Sequence, residues 1–156
     1  MGGPPPGALE KFTDEDWQRA FDLNFSSARR LNQLVLPAMR DRKFGRIISV
    51  LSKTIKEPEE GLGLSTVARS ALASYAKLLA LEVAVDGVTV NNVLPGSIET
   101  ARLRSVIEAQ AKAANRPVDI QREIRLSSVA AKRFGRPEEV GSLIAFLASQ
   151  NASYVT

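Results

Sequence analysis

Residues 87–100 read GVTVNNVLPGSIET, and the fold class turns on them. Val88, Val90, Val93 and Leu94 form a short apolar run that Pro95-Gly96 ends. A strand of this kind is buried on both faces, as in a parallel sheet. Residues 45–52, GRIISVLS, repeat the pattern: Ile47, Ile48, Val50 and Leu51 follow the turn-like Lys43-Phe44-Gly45. Between the two runs lies 66–85, TVARSALASYAKLLALEVAV. Ala and Leu dominate it, and apolar side chains reach most of the way around, so this helix must pack on more than one side.

Working outward, residues 2–7 (GGPPPG) are a stiff loop, because three prolines lack amide hydrogens. Thr13 reads as an N-cap, with Asp14, Glu15 and Asp16 placed where the helix dipole favours negative charge. Trp17, Phe21, Asn24, Ala28, Leu31 and Val35 then recur at helical steps, and Pro37 is expected to limit that helix near 39. Residues 100–131 read as helical with a break near Pro117, and Pro137 opens a last helix as its first residue. The order helix, strand, helix, strand, helix predicts an α/β fold with right-handed crossovers. Two strands cannot cover themselves or close their edges. We therefore expect 1–156 to be a single, incomplete α/β domain.

Composition narrows the chemistry. Cys and His are both absent, so disulfides, thiolates, Ser-His triads and histidine metal sites are excluded, and no metal is expected. No apolar run is long enough to span a bilayer, and Met1-Gly-Gly-Pro does not open a signal peptide. We expect a cytoplasmic chain with no membrane partner. The net charge is +4, with a local cluster at Arg40, Arg42, Lys43, Arg46, Lys53 and Lys56. Aromatic residues do not interleave with it, so a solvated loop is expected there rather than a nucleic-acid surface.

In this order and spacing, GRIISVLS, GVTVNNVLPGSIET and RFGRPEEVGSLIAFLAS (133–149) resemble the second half of short-chain dehydrogenases/reductases, especially 3-oxoacyl-acyl-carrier-protein reductases. The resemblance covers nearly the whole chain. It implies a Rossmann-type fold, of which 1–156 would be the C-terminal part of a doubly wound parallel sheet in three α/β/α layers, without the N-terminal dinucleotide-binding half and the final strand, and it implies NAD or NADP as cofactor. It also implies that the chain begins at the two glycines closing the family's Asn-Ala-Gly-Gly segment, past the glycine-rich turn that cradles the dinucleotide phosphates. On that reading the isolated chain binds cofactor weakly or not at all and is inactive.

The family works with Asn, Ser, Tyr and Lys. Asn24, in DLNF, matches the Asn; a buried Asn satisfying backbone groups is the bland alternative. Ser52 matches the Ser, at the C-terminal end of a strand, where ligands sit in open α/β sheets. At the Tyr and Lys positions stand Ser65 and Arg69, with no gap, since SALASYAKLLALEVA continues in register. Their spacing keeps both on one helix face. An aliphatic hydroxyl is a far weaker acid than a phenol, and Arg stays protonated. The pair thus reads more readily as a binding site than as an acid–base pair, Arg69 touching a ribose or phosphate. Tyr75 and Lys77 are two apart and point to different faces, so Tyr75 is expected at a helix–helix contact. Pro95, Gly96, Ile98 and Thr100 match the family's nicotinamide-side loop.

The resemblance implies reduction of a carbonyl or oxidation of an alcohol, with 3-oxoacyl thioesters as one substrate class. Residues 101–131 would be a mobile lid whose Arg102, Arg104, Lys112, Arg122 and Arg125 suit an anionic substrate. The alternative is a pseudoenzyme, a dimeric binding or regulatory scaffold that lost its acid; Ser65 and Arg69 favour it. Either way, helices 13–39 and 66–85 are expected to build a homodimer, or a tetramer of such dimers.

Overall fold

The computed structural model describes residues 3–156; Met1 and Gly2, and with them the start of the expected Gly-Gly segment, lie outside the described residues. Eight main elements follow one another: α1 (Asp14–Phe21), α2 (Ser27–Asp41), β1 (Gly45–Val50), α3 (Gly63–Val83), β2 (Val88–Val93), α4 (Ala101–Ala113), α5 (Val118–Ser127) and α6 (Pro137–Ala148). β1 and β2 pair in parallel, from Gly45 opposite Val88 to Val50 opposite Val93. They are the only sheet among the described residues.

Period-two alternation sorts the strand side chains into two layers. Ile47, Val88 and Val90 face α2 and α3, meeting Leu36, Ala76, Leu79, Ala80 and Val83. Ile48 and Val93 face the other way, onto Val140, Ile144 and Leu147 of α6. The result is the expected helix–sheet–helix sandwich. Val83 and Val88 are wholly buried, and each contributes about 1.5–3 kcal/mol relative to exposure. At the outer edge of β2, Val90 N–H donates to Thr156 Oγ1 (2.9 Å) and the Asn91 amide donates to the Val155 carbonyl (2.8 Å). The end of the chain thus lies along that strand.

Three boundaries differ from expectation. The segment 13–39 is not one helix: a π turn at Asp22–Ser26 separates α1 from α2. α2 also runs through Pro37 to Asp41, because Leu36 and Met39 seat that turn on the core. α3 begins at Gly63 rather than Thr66, which brings Ser65 inside the helix. In the basic cluster, Arg40 and Lys43 pair with Asp86, and Arg46 lies over the Phe44 ring while donating to the carbonyls of Gly45, Gly87 and Ser149.

α6 is started by a charged clamp. Glu139 accepts from Arg136 N–H (2.7 Å) and takes a bidentate contact from Arg133 (2.8 and 2.7 Å). Arg133 first, then the Arg136 amide, hold the Glu139 carboxyl at about 2, below its ordinary 4.5. A folded-state value below the unfolded one means the stabilisation is complete above pH 4.5 and is lost as pH falls toward about 2. Glu139→Gln is therefore expected to lower the melting temperature at pH 7. The gap to the unmodified chain should close across that acid window in a pH series of thermal melts.

Candidate functional site

Because β1 and β2 are parallel, their C-terminal ends open on the same side of the sheet. Leu51 N–H donates to the Val93 carbonyl (2.8 Å) and Lys53 N–H to the Pro95 carbonyl (3.2 Å), so the two strand-end loops leave side by side. Above them is a cleft of about 420 Å³, closed laterally by the start of α3, the start of α4 and Arg125 of α5. Ser52, Ser65, Arg69, Pro95, Gly96, Ile98 and Thr100, matched from sequence on three separate segments, all line it.

Ser52 sits at the turn from β1 into a short 3₁₀ segment. Its Oγ accepts from Thr54 N–H (3.2 Å) and from the Thr54 hydroxyl (3.0 Å). Both contacts use the oxygen as acceptor, which leaves the Ser52 proton to donate to a ligand. One turn of α3 joins Ser65 and Arg69: Arg69 Nε donates to Ser65 Oγ (3.0 Å). Arg69 Nη1 donates to the Val50 and Leu51 carbonyls (3.0 and 3.1 Å). These bonds pin the guanidinium against the end of β1, where burial first and the Arg102 charge second push its pKa down.

The Pro95–Thr100 loop is held from the other side. Gly135 N–H donates to the Ser97 carbonyl (2.9 Å) and Glu99 N–H to the Gly135 carbonyl (2.8 Å). Thr100 caps α4 by accepting from Leu103 N–H (3.2 Å). A side chain built at Gly96 would meet no atom within 4 Å. Space therefore lies over the loop that resembles the family's nicotinamide-side loop. The residues present suit the nicotinamide and ribose end of a dinucleotide. Among them no glycine-rich turn joins a strand to a helix to receive its phosphates.

Asn24 is not brought to this cleft. It lies in the π turn, and its amide donates to the Ala20 carbonyl (3.0 Å). The turn packs on α3, with Phe25 edge-on to Tyr75 at 5.9 Å between ring centres. Tyr75 is accordingly at a helix–helix contact, away from the cleft. Lys53 and Glu59 line the cleft without having been singled out as site residues, and Arg102 and Arg125 were noted only as lid charges. Glu59 accepts from Lys53 (3.0 Å) and Arg125 (3.2 Å), and Arg125 also reaches Ser97 (3.2 Å) and Gln110 (3.3 Å). The adjacency of Lys53 to Ser52 was the one available signal. Among the described residues no cluster of His, Cys, Asp or Glu could hold a metal ion.

The family described as enoyl-(acyl carrier protein) reductase matches residues 1–156. The chain is 33% identical over 150 residues to rabbit (Oryctolagus cuniculus) dehydrogenase/reductase SDR family member 4, covering 96% of this chain and 54% of that relative. It is 37% identical over 148 residues to 3-oxoacyl-[acyl-carrier-protein] reductase FabG of Salmonella typhimurium, covering 95% and 56%. The chain thus spans about half the length of the curated relatives it matches. The crystal structure of YwfH, an NADPH-dependent reductase involved in bacilysin biosynthesis, superposes with a TM-score of 0.92 at 29% identity, covering all of this chain and 60% of that one.

Proposed function

The chain belongs to the short-chain dehydrogenase/reductase family, and from that premise we propose that it forms part of one Rossmann-type domain of an oxidoreductase moving a hydride between NAD or NADP and a carbonyl or alcohol carbon. One observation carries the reading: Ser52, the Ser65–Arg69 pair and the Pro95–Thr100 loop converge on one cleft at the strand ends. A bound nicotinamide would supply or take the hydride. Pro95, Gly96, Ile98 and Thr100 would hold its ring side, and Arg69 its ribose.

The protein's own groups then have definite tasks. The Ser52 hydroxyl donates to the substrate oxygen and orients the carbonyl. Ser65, whose oxygen already accepts from Arg69, donates its proton to the same oxygen. The fixed Arg69 charge stabilises negative charge growing on that oxygen, the kind of preorganised electrostatics that dominates many sites. Arg69 transfers no proton, so the final protonation is left to water entering the open cleft. Ser52→Ala is expected to lower kcat/KM for ketone reduction by roughly 10- to 100-fold, the loss of one hydrogen bond to a charged oxygen. Following reduced-nicotinamide absorbance with a panel of ketones and a 3-oxoacyl thioester tests the reading; no turnover with any of them in the chain extended by its upstream reading frame would sink it. The 156-residue chain alone is expected to bind NAD(P) weakly, because the ring-side loop cannot supply the affinity of the whole dinucleotide. A calorimetric titration giving micromolar affinity would contradict this.

A dimeric scaffold without turnover is the second reading, favoured by the three bonds that make Arg69 a fixed post. Both readings include self-association. Leu34 on α2 is 78% exposed, and Leu81 near the end of α3 and Val85 in the turn that follows it are 76% and 85% exposed. A self-complementary pairing through these faces buries them in both copies at once, and about 800 Å² per partner suffices for a specific dimer. Leu81→Glu is expected to shift sedimentation at micromolar concentration from dimer to monomer. A wild-type monomer there would refute the interface.

A further inference from the structure

Side chains along the cleft wall join the two strand-end loops a second time. Lys53 Nζ donates to Glu59 Oε1 (3.0 Å) and Arg125 Nη1 to Glu59 Oε2 (3.2 Å). Arg125 Nε donates to Ser97 Oγ (3.2 Å), and its Nη1 also reaches Gln110 of α4 (3.3 Å). Lys53 follows Ser52 directly, and Ser97 follows Gly96. The path thus starts beside one group of the proposed site, crosses α5 and ends inside the Pro95–Thr100 loop. Glu59 is the single carboxylate lining the cleft among the described residues, and different elements take its two oxygens. The Arg125 and Glu59 side chains are only 13% and 21% exposed, where salt screens a pair weakly. Glu57 also faces Lys53, at 3.7 Å, but its side chain is 77% exposed.

The seat of α5 depends on this path. α4 buries Leu103, Val106, Ile107 and Ala111, whereas α5 buries no residue. Leu126 alone of α5 packs partly on the Leu103–Phe134 cluster. Apolar burial therefore holds α5 weakly, and polar contacts set its place over the cleft. We propose that Glu59 is a positioning residue of this site: by accepting from Lys53 and Arg125 at once, it holds Ser52 and the Pro95–Thr100 loop in one arrangement beside α5. The role rests on the oxidoreductase reading and adds a residue that reading leaves out. Glu59 acts through its two cationic partners and transfers no proton. A carboxylate accepts at both oxygens, but an amide accepts at only one. Glu59→Gln must therefore turn an N–H toward Lys53 or toward Arg125, and one end of the path lets go.

Arg125 Nε–H is the reporter, because it bonds Ser97 and not Glu59. Its exchange with solvent is followed by NMR in the 156-residue chain without ligand. Glu59→Gln is expected to speed that exchange roughly 10-fold, the loss of one charge-assisted hydrogen bond. Glu57→Gln removes the same charge from the exposed neighbour and should leave it unchanged. The backbone amides of Leu79 and Val83 in α3 should keep their rates in both variants. In the extended chain, Glu59→Gln is expected to lower kcat for ketone reduction roughly 10-fold with little change in KM, the mark of lost alignment. Arg125→Gln should do the same, and the double variant should be no worse than either single one, since both break one path. Arg125→Lys keeps the charge facing Glu59 and should recover part of kcat. Unaltered Arg125 exchange in Glu59→Gln, α3 amides that speed up along with it, or losses that add in the double variant overturn the proposal. Released Arg125 with kcat and KM both unchanged removes the positioning role and leaves the oxidoreductase reading standing. An unsubstituted extended chain that turns over no substrate removes the reading itself, however Arg125 behaves.

Discussion

Replacing Gly87 by alanine is expected to destabilise the fold by about 3 kcal/mol, the upper end of the cost of one strained backbone position. Gly87 ends the tight turn after α3 with φ 72° and ψ 15°, the left-handed region that glycine enters without penalty. A Cβ there would also drive into the Lys43 carbonyl, on the turn that feeds β1. Gly87 precedes Val88, whose pairing with Gly45 opens the ladder, so neither turn can move without shifting the strand register. Asparagine tolerates the left-handed region but still carries a Cβ. Gly87→Asn should therefore fail to rescue stability, which separates the clash from the dihedral cost. Urea unfolding midpoints of both variants give the measurement; a loss below 1 kcal/mol in Gly87→Ala would show that the Lys43 turn yields.

The second large effect is a gain. In the extended chain, Ser65→Tyr combined with Arg69→Lys is expected to speed carbonyl reduction by roughly 10²- to 10⁴-fold, the usual worth of a positioned general acid. A phenol near pKa 10 is a far stronger acid than a serine hydroxyl, and Ser65 lines the same cleft as Ser52. Lysine retains the positive charge beside the phenol, though with a point donor in place of the fork that now holds the Val50 and Leu51 carbonyls. Arg69→Lys alone should not accelerate the reaction, because it adds no acid. Thermal melts must accompany the rates, since loosening the end of β1 would mask the gain. An unaltered rate in a folded double variant would mean that proton delivery does not limit the reaction.

Much of this was legible in the chain because the physics was local. Unbroken apolar runs gave β1 and β2, the apolar content of 66–85 gave a helix whose Ala76, Leu79, Ala80 and Val83 cover the sheet while Leu78 and Leu81 stay exposed, and Pro137 gave the start of α6. The convergence of Ser52 with Pro95–Thr100 followed from one rule, that parallel strands release their loops on the same side. Long-range electrostatics was not legible. Glu59 and Arg125 are 66 residues apart, and nothing in the run Glu57–Glu60 marks which carboxylate will bridge Lys53 to α5. The π turn was equally hidden. DLNFS has no breaker residue, and widening the helix there is decided by how α1 and α2 seat on α3, not by propensity. That also explains Asn24, which periodicity placed on a buried face but which spends its amide on the Ala20 carbonyl. Pro37 does stand close to the end of α2, which runs only two residues past 39 because Leu36 and Met39 seat that turn on the core.

The shared direction of β1 and β2 gives the molecule a working end and a grip. Six residues of strand, about 20 Å at 3.3 Å each, separate the cleft from the turn where Lys43 meets Asp86. A dye, a tether or a surface attached beside that turn would sit on the far side of the sheet's length from Ser52 and Arg69. The protein could then be immobilised or watched one molecule at a time while its open cleft faces freely into solution.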